Sequence, residues 1–182
     1  EYRTDDARLT IEIIKTASRF GAHCLNYVQA DEFIYREGKV AGVFATDFIS
    51  GEKMEIKATS TISAAGPWVD ELRTKNHSLT SKHLHLTKGV HIVLPHSKFP
   101  LKQAIYFDFP DKRMVFAIPR GKITYIGTTD TDYSGDKDKI LTTKADVEYL
   151  IKGTNHAFPK LNLKVKDVES SWAGVRPLIH ED

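Results

Sequence analysis

Between Thr4 and Phe20 the apolar residues Ala7, Leu9, Ile11, Ile13, Ile14, Ala17 and Phe20 recur at helical spacings. Thr4 or Asp5 is available as the N-cap, and Gly21 is placed to end the helix. The pattern predicts an amphipathic helix with one buried stripe. From Ala22 to Ala65 the period shortens to two, in three or four strand-like runs separated by Glu37-Gly38-Lys39 and Ser50-Gly51-Glu52-Lys53, both with hairpin turn chemistry. That reads as a β-meander, and it runs into "TISAAGPWVD", Thr61 to Asp70.

Small side chains at a strand-to-helix junction let another backbone or a flat ligand approach closely. Equally, an Ala-Ala-Gly-Pro turn can simply let a helix pack tightly on a sheet. Pro67 suits the first helical turn, where its missing N–H costs nothing. After a short helix from Pro67 to Lys75 comes a second β-rich block: Leu84 to Pro95, Gln103 to Phe109, Arg113 to Pro119 and Lys122 to Asp130. Pro119-Arg120-Gly121 joins the last two as a hairpin. Thr142 to Phe158 reads as a helix capped by Thr142 or Thr143 and ended before Pro159, and Val168 to Ile179 as a closing strand. The fold class is therefore α+β, an antiparallel or mixed sheet with flanking helices, without β-α-β alternation or internal repeat. Residues 1–76 and 77–182 are the expected division into two segments.

Composition changes this picture little. The chain has 182 residues, 41% hydrophobic and 27% charged, which fits an ordinary globular protein with one good core and a smaller second lobe. Its 26 basic and 24 acidic residues are interspersed, so no basic arm argues for nucleic acid. A single cysteine, Cys24, excludes an intramolecular disulfide and is best read as core filler. No apolar run is long enough to span a bilayer, and "EYRTDDARLT" lacks the apolar segment of a signal peptide. With no initiator Met and an abrupt stop at "PLIHED", both ends read as cut from a longer protein.

Among candidate chemistries, a nucleotide phosphate cradle is excluded first. No two of the 11 glycines stand in G-x-G spacing, and neither a P-loop nor a G-x-S-x-G elbow is present. Five of the eight histidines, His77, His83, His85, His91 and His96, fall within twenty residues, and His83 and His85 would share a strand face, but no third ligand is evident and no metal is expected. His91 lies opposite the apolar face Val90, Ile92 and Leu94, two residues from Gly89, a setting for a general base or for a hydrogen-bonded strand histidine. Arg176 is the only charge in "WAGVRPLI" and needs a fixed anionic partner, either an internal carboxylate or a substrate phosphate or carboxylate. Asp130 and Asp132, in "GTTDTDY", read as a turn.

Taken in order, "EYRTDDARLT", "ISAAGPWVDELR", "LTKGVHIVLP", "RMVFAIPR", "YIGTTDTDY" and "SSWAGVRPLI" resemble the FAD-dependent aerobic glycerol-3-phosphate dehydrogenases, most strongly those of Gram-positive bacteria. The resemblance implies a D-amino-acid-oxidase-like flavoprotein fold, in which 1–76 is part of the FAD domain and 77–182 part of the substrate-binding domain. It implies oxidation of sn-glycerol 3-phosphate to dihydroxyacetone phosphate, with electrons passing through FAD to membrane quinone. It also implies a cytoplasmic protein, peripheral on the inner membrane face. Residue by residue, it makes His91 the base for the C2 hydroxyl while hydride moves to the flavin, and puts Arg176 at the substrate. It brings Lys88 and Asp111 near that site, although Lys88 on a regular strand points away from His91. Val28 falls in the segment that meets the adenine part of FAD, and Ala65, Gly66 and Trp68 in the segment that returns to the cofactor.

The Gly-rich N-terminal motif and the C-terminal flavin-contacting segment of that family are missing from this sequence. The chain alone is accordingly expected to bind FAD poorly, to be inactive, and to self-associate through cut surfaces. Two other readings stand beside the dehydrogenase: a glycerol-3-phosphate oxidase passing electrons to oxygen, and a non-catalytic module that holds a small anion at Arg176.

Overall fold

The computed structural model describes residues 4–181, which form two compact units, one ending at Ser63 and the other beginning at Ala64. In the first, helix α1 (Asp6–Arg19) starts where the Asp5 carboxylate accepts a hydrogen bond from the Arg8 backbone N–H at 3.1 Å, and gives way to Gly21 at φ +87°. The helix is amphipathic as its spacing predicts, but its apolar stripe is not buried. Leu9, Ile11, Ile13 and Ile14 are each about half exposed, and no residue of the helix is buried. Periodicity specifies a face to be covered, and the described residues of the unit do not supply the cover. Cys24, read as core filler, is likewise exposed.

Strands β1 (Val28–Arg36), β2 (Lys39–Asp47) and β3 (Lys53–Lys57) form the expected antiparallel meander. Glu37 and Gly38 both take positive φ, +51° and +74°, the backbone of the tight hairpin whose twist matches its strands. At Gly42 the neighbouring strand comes so close that a Cβ would lie 2.1 Å from the Ile56 carbonyl oxygen.

The second unit opens with a 3-10 turn, Gly66–Trp68, that runs into α2 (Val69–Lys75). Both are tied to later segments of the same unit. Asp70 accepts from the Leu84 N–H at 2.6 Å, Arg73 donates to the Lys82 carbonyl at 2.7 Å, and Lys137 pairs with Glu71 and reaches the Pro67 carbonyl at 3.2 Å. The compact units consequently divide ahead of the 76/77 boundary read from the sequence.

The sheet of this unit comprises β4 (Lys82–Pro95), β5 (Ile105–Asp108), β6 (Met114–Arg120), β7 (Ile123–Gly127), β8 (Thr131–Asp132) and β9 (Ser170–Glu181). Its order is β5-β6-β7-β4-β8, with β9 also paired to β4, and every ladder is antiparallel. One face is covered by α3 (Lys144–Ala157), whose Leu150 and Ile151 pack on Val90, Ile92 and Leu94 of β4, Val115 and Ala117 of β6 and Ile126 of β7. Val90, Ile92 and Leu94 are wholly buried, so period-two alternation sets which β4 residues are left for the opposite face. Thr143 caps α3 reciprocally with Asp146.

Two contacts fix the helix on the sheet. Lys88 extends from β4 on the core side and donates to Asp146 at 2.7 Å, both side chains being about nine-tenths buried. Burial pushes the Asp146 carboxyl upward, but the hydrogen bonds from Lys88 and Thr143 outweigh it and hold its pKa below the usual carboxylate value. Gly153 of α3 lies against the Phe109 ring, where a Cβ would fall 2.2 Å from a ring carbon.

These contacts generate two expectations for stability. Gly153→Ala gains helix propensity but overpacks a buried ring, so chemical denaturation should show a net loss of about 1–3 kcal/mol, and a gain would mean that Phe109 moves aside freely. Lys88→Met strands the Asp146 carboxylate and should cost about 1.5–3 kcal/mol at pH 7. Because the depressed Asp146 pKa stabilises only the ionised form, that cost should shrink as pH falls through the carboxylate range. A pH-independent loss in urea titrations would contradict the pairing.

Candidate active site

On β4 the side chains opposite the core are Thr87, Gly89, His91 and Val93. Register sets their neighbours: Arg176, Gly174, Trp172 and Ser170 of β9 stand across from them in that order, and Gly127 of β7 stands across from His91 on the other side. The same face continues into Tyr125 of β7, Phe116 of β6 and Tyr106 of β5. The face carries an aromatic sheet surface: His91 is stacked on Trp172 at 4.7 Å and 9°, and lies 5.4 Å from Phe116 and 6.3 Å from Tyr125 between ring centroids. α3 lies on the other side, and Tyr106 and Trp172 remain 55% and 46% exposed.

His91 fits because Gly127 has no side chain. A Cβ there would lie 2.2 Å from the imidazole Cδ2. The ring is enclosed enough that Nδ1 is buried without a hydrogen-bond partner among the described residues, which sets aside the hydrogen-bonded strand histidine for that nitrogen. Burial first, and then the Arg176 charge, lower the His91 pKa to about 4, so the ring is neutral at pH 7.

Arg176 does have a fixed anionic partner. Its Nη1 donates to Asp130 Oδ1 at 3.2 Å and to the Thr129 carbonyl at 3.3 Å, and its Nη2 to Thr128 Oγ1 at 2.9 Å. Those groups are within reach because Thr129 replaces a rung of the sheet: its hydroxyl donates to the Lys88 carbonyl at 3.1 Å and accepts from the Val90 N–H at 3.0 Å. Segment 128–130 is thereby pinned to β4 just past the end of β7. The guanidinium lies over Gly89, where a Cβ would be 2.8 Å from Nη2, so a glycine here makes room for the arginine. Three of the five N–H groups of Arg176 are used in these bonds, leaving Nε–H and one Nη2–H for an incoming oxygen.

The structure thus brings His91 and Arg176 together and leaves two sequence-named residues elsewhere. Lys88 points away from the His91 face, toward α3 and Asp146, as strand alternation requires. Asp111, in the β5–β6 turn, accepts from Tyr149 of α3 at 2.9 Å, on the helix-covered side. Neither joins the His91 face. Ala65, Gly66 and Trp68 lie at the start of the second unit. Gly66 has φ +51° and open space where a Cβ would be, so backbone conformation rather than a close neighbour calls for glycine there. Val28 opens β1 in the first unit. His83 and His85 share a face with the His180 ring, and His85 bonds Asp132 at 3.0 Å, yet no three metal-ligating side chains converge among the described residues.

Sequence reading passed over Thr128, Thr129, Asp130, Gly127 and Trp172 as site residues. "GTTD" signals only a turn, because a side chain that completes a ladder has no signature in spacing. The Trp172 contact was readable in principle once β4 and β9 were paired in register.

The family model of FAD dependent oxidoreductases matches residues 1–182. The chain is 53% identical over 182 residues to the aerobic glycerol-3-phosphate dehydrogenase of Bacillus subtilis and 56% identical over 184 residues to that of Staphylococcus haemolyticus. All of this chain is covered in both matches but only 33% of each relative, so it spans about a third of the length of the curated relatives it matches. The crystal structure of glycerol-3-phosphate dehydrogenase from Bacillus halodurans, complexed with FAD, superposes with a TM-score of 0.96 at 55% identity, over all of this chain and 37% of that one. L-proline dehydrogenase from P. horikoshii shares the fold alone, with a TM-score of 0.69 at 14% identity over 94% of this chain and 43% of that one. With its whole length matched by the family model, this chain belongs to the FAD dependent oxidoreductases.

Proposed function

We propose that the chain is part of a flavoenzyme that oxidises sn-glycerol 3-phosphate to dihydroxyacetone phosphate, and that the open aromatic face of its second unit is the substrate side of the site. The observation that carries the reading is a neutral, enclosed imidazole set beside an arginine whose fork is only partly engaged, on a face walled by Trp172, Phe116 and Tyr125. Similarity over the whole of this chain, and a third of each relative, to the glycerol-3-phosphate dehydrogenases supports the substrate.

The residues fit a flavin ring: the surface is lined by aromatic side chains, Trp172 and Tyr106 remain partly exposed on it, and open space lies beside Gly174. When bound, FAD supplies the acceptor for the substrate hydride. Val28, Ala65, Gly66 and Trp68 are the residues of this chain assigned to holding it, with 1–76 serving the cofactor and 77–182 the substrate. In this reading the electrons go on to a membrane quinone, and the protein works at the inner membrane face.

The chain's own chemistry is proton transfer and charge stabilisation. With Nδ1 enclosed, Nε2 is the working nitrogen of His91 and takes the C2 hydroxyl proton. Arg176 meets the oxygen on which negative charge grows, or the phosphate, through its remaining N–H groups. Thr128 and Asp130 hold the guanidinium in place for this.

Kinetics of the intact, FAD-loaded protein test the assignment. His91→Gln should lower kcat by about 10²- to 10⁴-fold while leaving KM within about threefold, whereas equal losses in binding and turnover would sink the base role. Arg176→Lys keeps the charge but loses the fork, and should raise KM for glycerol 3-phosphate by about tenfold or more. Peroxide as the stoichiometric product would turn the dehydrogenase into an oxidase, and binding without turnover would leave an anion-binding module.

The pH profile gives a separate check. A base must be unprotonated, so a His91 pKa of about 4 keeps it competent through neutrality, and the acid limb of kcat/KM should fall near pH 4. A limb centred on the ordinary histidine value of 6.5 would contradict the enclosed ring.

A further inference from the structure

Histidines that act as bases are commonly oriented by a carboxylate or carbonyl on the second ring nitrogen. His91 has no such partner: its Nδ1 is buried and unbonded among the described residues. Something else must fix the plane of the ring. On one side lies Gly127, whose missing Cβ leaves the imidazole room to lean toward β7. On the other, at the register position directly across β9, the Trp172 indole is parallel to it within 9° at 4.7 Å. Tyr125 in turn packs against the indole at 5.4 Å and 56°, bracing it from β7.

We propose that Trp172 is the positioning residue of His91, a flat apolar wall that takes the place of the usual hydrogen-bonding orienter and sets the direction in which Nε2 points. The inference rests on the reading of His91 as the base. It gives Gly127 and Trp172 one task, to clamp an imidazole between a strand with no side chain and a strand with the widest one. A parallel stack leaves the ring edge available while restricting rotation of its plane, which an edge-on aromatic contact would not do. The indole also shields the ring from water. The charged or titratable groups facing the ring are Arg176 from β9 and Tyr125 from β7, so removal of the indole changes solvation without changing the nearby charges.

The test uses the intact, FAD-loaded protein with Trp172→Ala and Trp172→Phe, read by turnover and by the titration of His91 in histidine-labelled NMR spectra, assigned with His91→Gln. Trp172→Ala should raise the His91 pKa from about 4 toward 6.5 and lower kcat by about ten- to hundredfold with KM little changed, and Trp172→Phe should restore most of both. An unmoved titration, an unmoved kcat, or a loss confined to KM would overturn the proposal, the last by making Trp172 a substrate contact. Since Trp172 is 46% exposed, the alanine variant leaves little cavity, and thermal melts should match the parent. If the parent protein oxidises no glycerol 3-phosphate, the functional reading falls, and the titration alone decides whether Trp172 holds the ring.

Discussion

The second unit depends on the twelve-residue antiparallel pairing of β4 with β9, from Lys82 opposite Glu181 to Val93 opposite Ser170. Such a ladder fixes register, and a slip of one residue would exchange the two faces of each strand. In this register the wholly buried Val90, Ile92 and Leu94 meet α3, and His91 and Arg176 are left on the opposite side. The same pairing places Trp172 beside His91 and Arg176 beside Thr87, four residues away along the strand and on the same face. Core and candidate site are two sides of one constraint.

The site solves an electrostatic problem with few charged groups. Burial disfavours the charged ring, and the nearby guanidinium repels its proton further, so the imidazole of this strand histidine is neutral at pH 7. The arginine is kept from neutralising its surroundings elsewhere by three oxygens supplied from one short segment, Thr128 to Asp130. That segment is in place because Thr129 commits its hydroxyl to two β4 backbone groups. Gly89 and Gly127 provide the volume that the arginine and the imidazole occupy. Small residues matter here for what they leave empty.

Most elements were legible in the chain's periodicity, since β4's alternation, the caps at Asp5 and Thr143 and the left-handed turn at Gly38 are local signals. The face carrying His91 and the need of Arg176 for a partner also came from local pattern. What could not be read was long-range: that Asp130 is that partner, that Lys88 finishes at Asp146, and that Asp111 finishes at Tyr149. Each is a meeting between segments roughly forty or more residues apart, decided by sheet order rather than spacing. The exposed stripe of α1 has the same origin, because amphipathicity records a helix's need for a neighbour and not where that neighbour is.

The functional reading stands on substrate being held on the aromatic face of the β4–β9 sheet, between His91 and Arg176. A crystal structure of the intact, FAD-loaded protein with glycerol 3-phosphate or dihydroxyacetone phosphate tests this without intermediaries. The C2 oxygen should lie within hydrogen-bond distance of His91 Nε2, with an oxygen of the ligand on the Arg176 fork. A ligand seated away from both, or lying on the α3 side near Lys88 and Asp111, would contradict it.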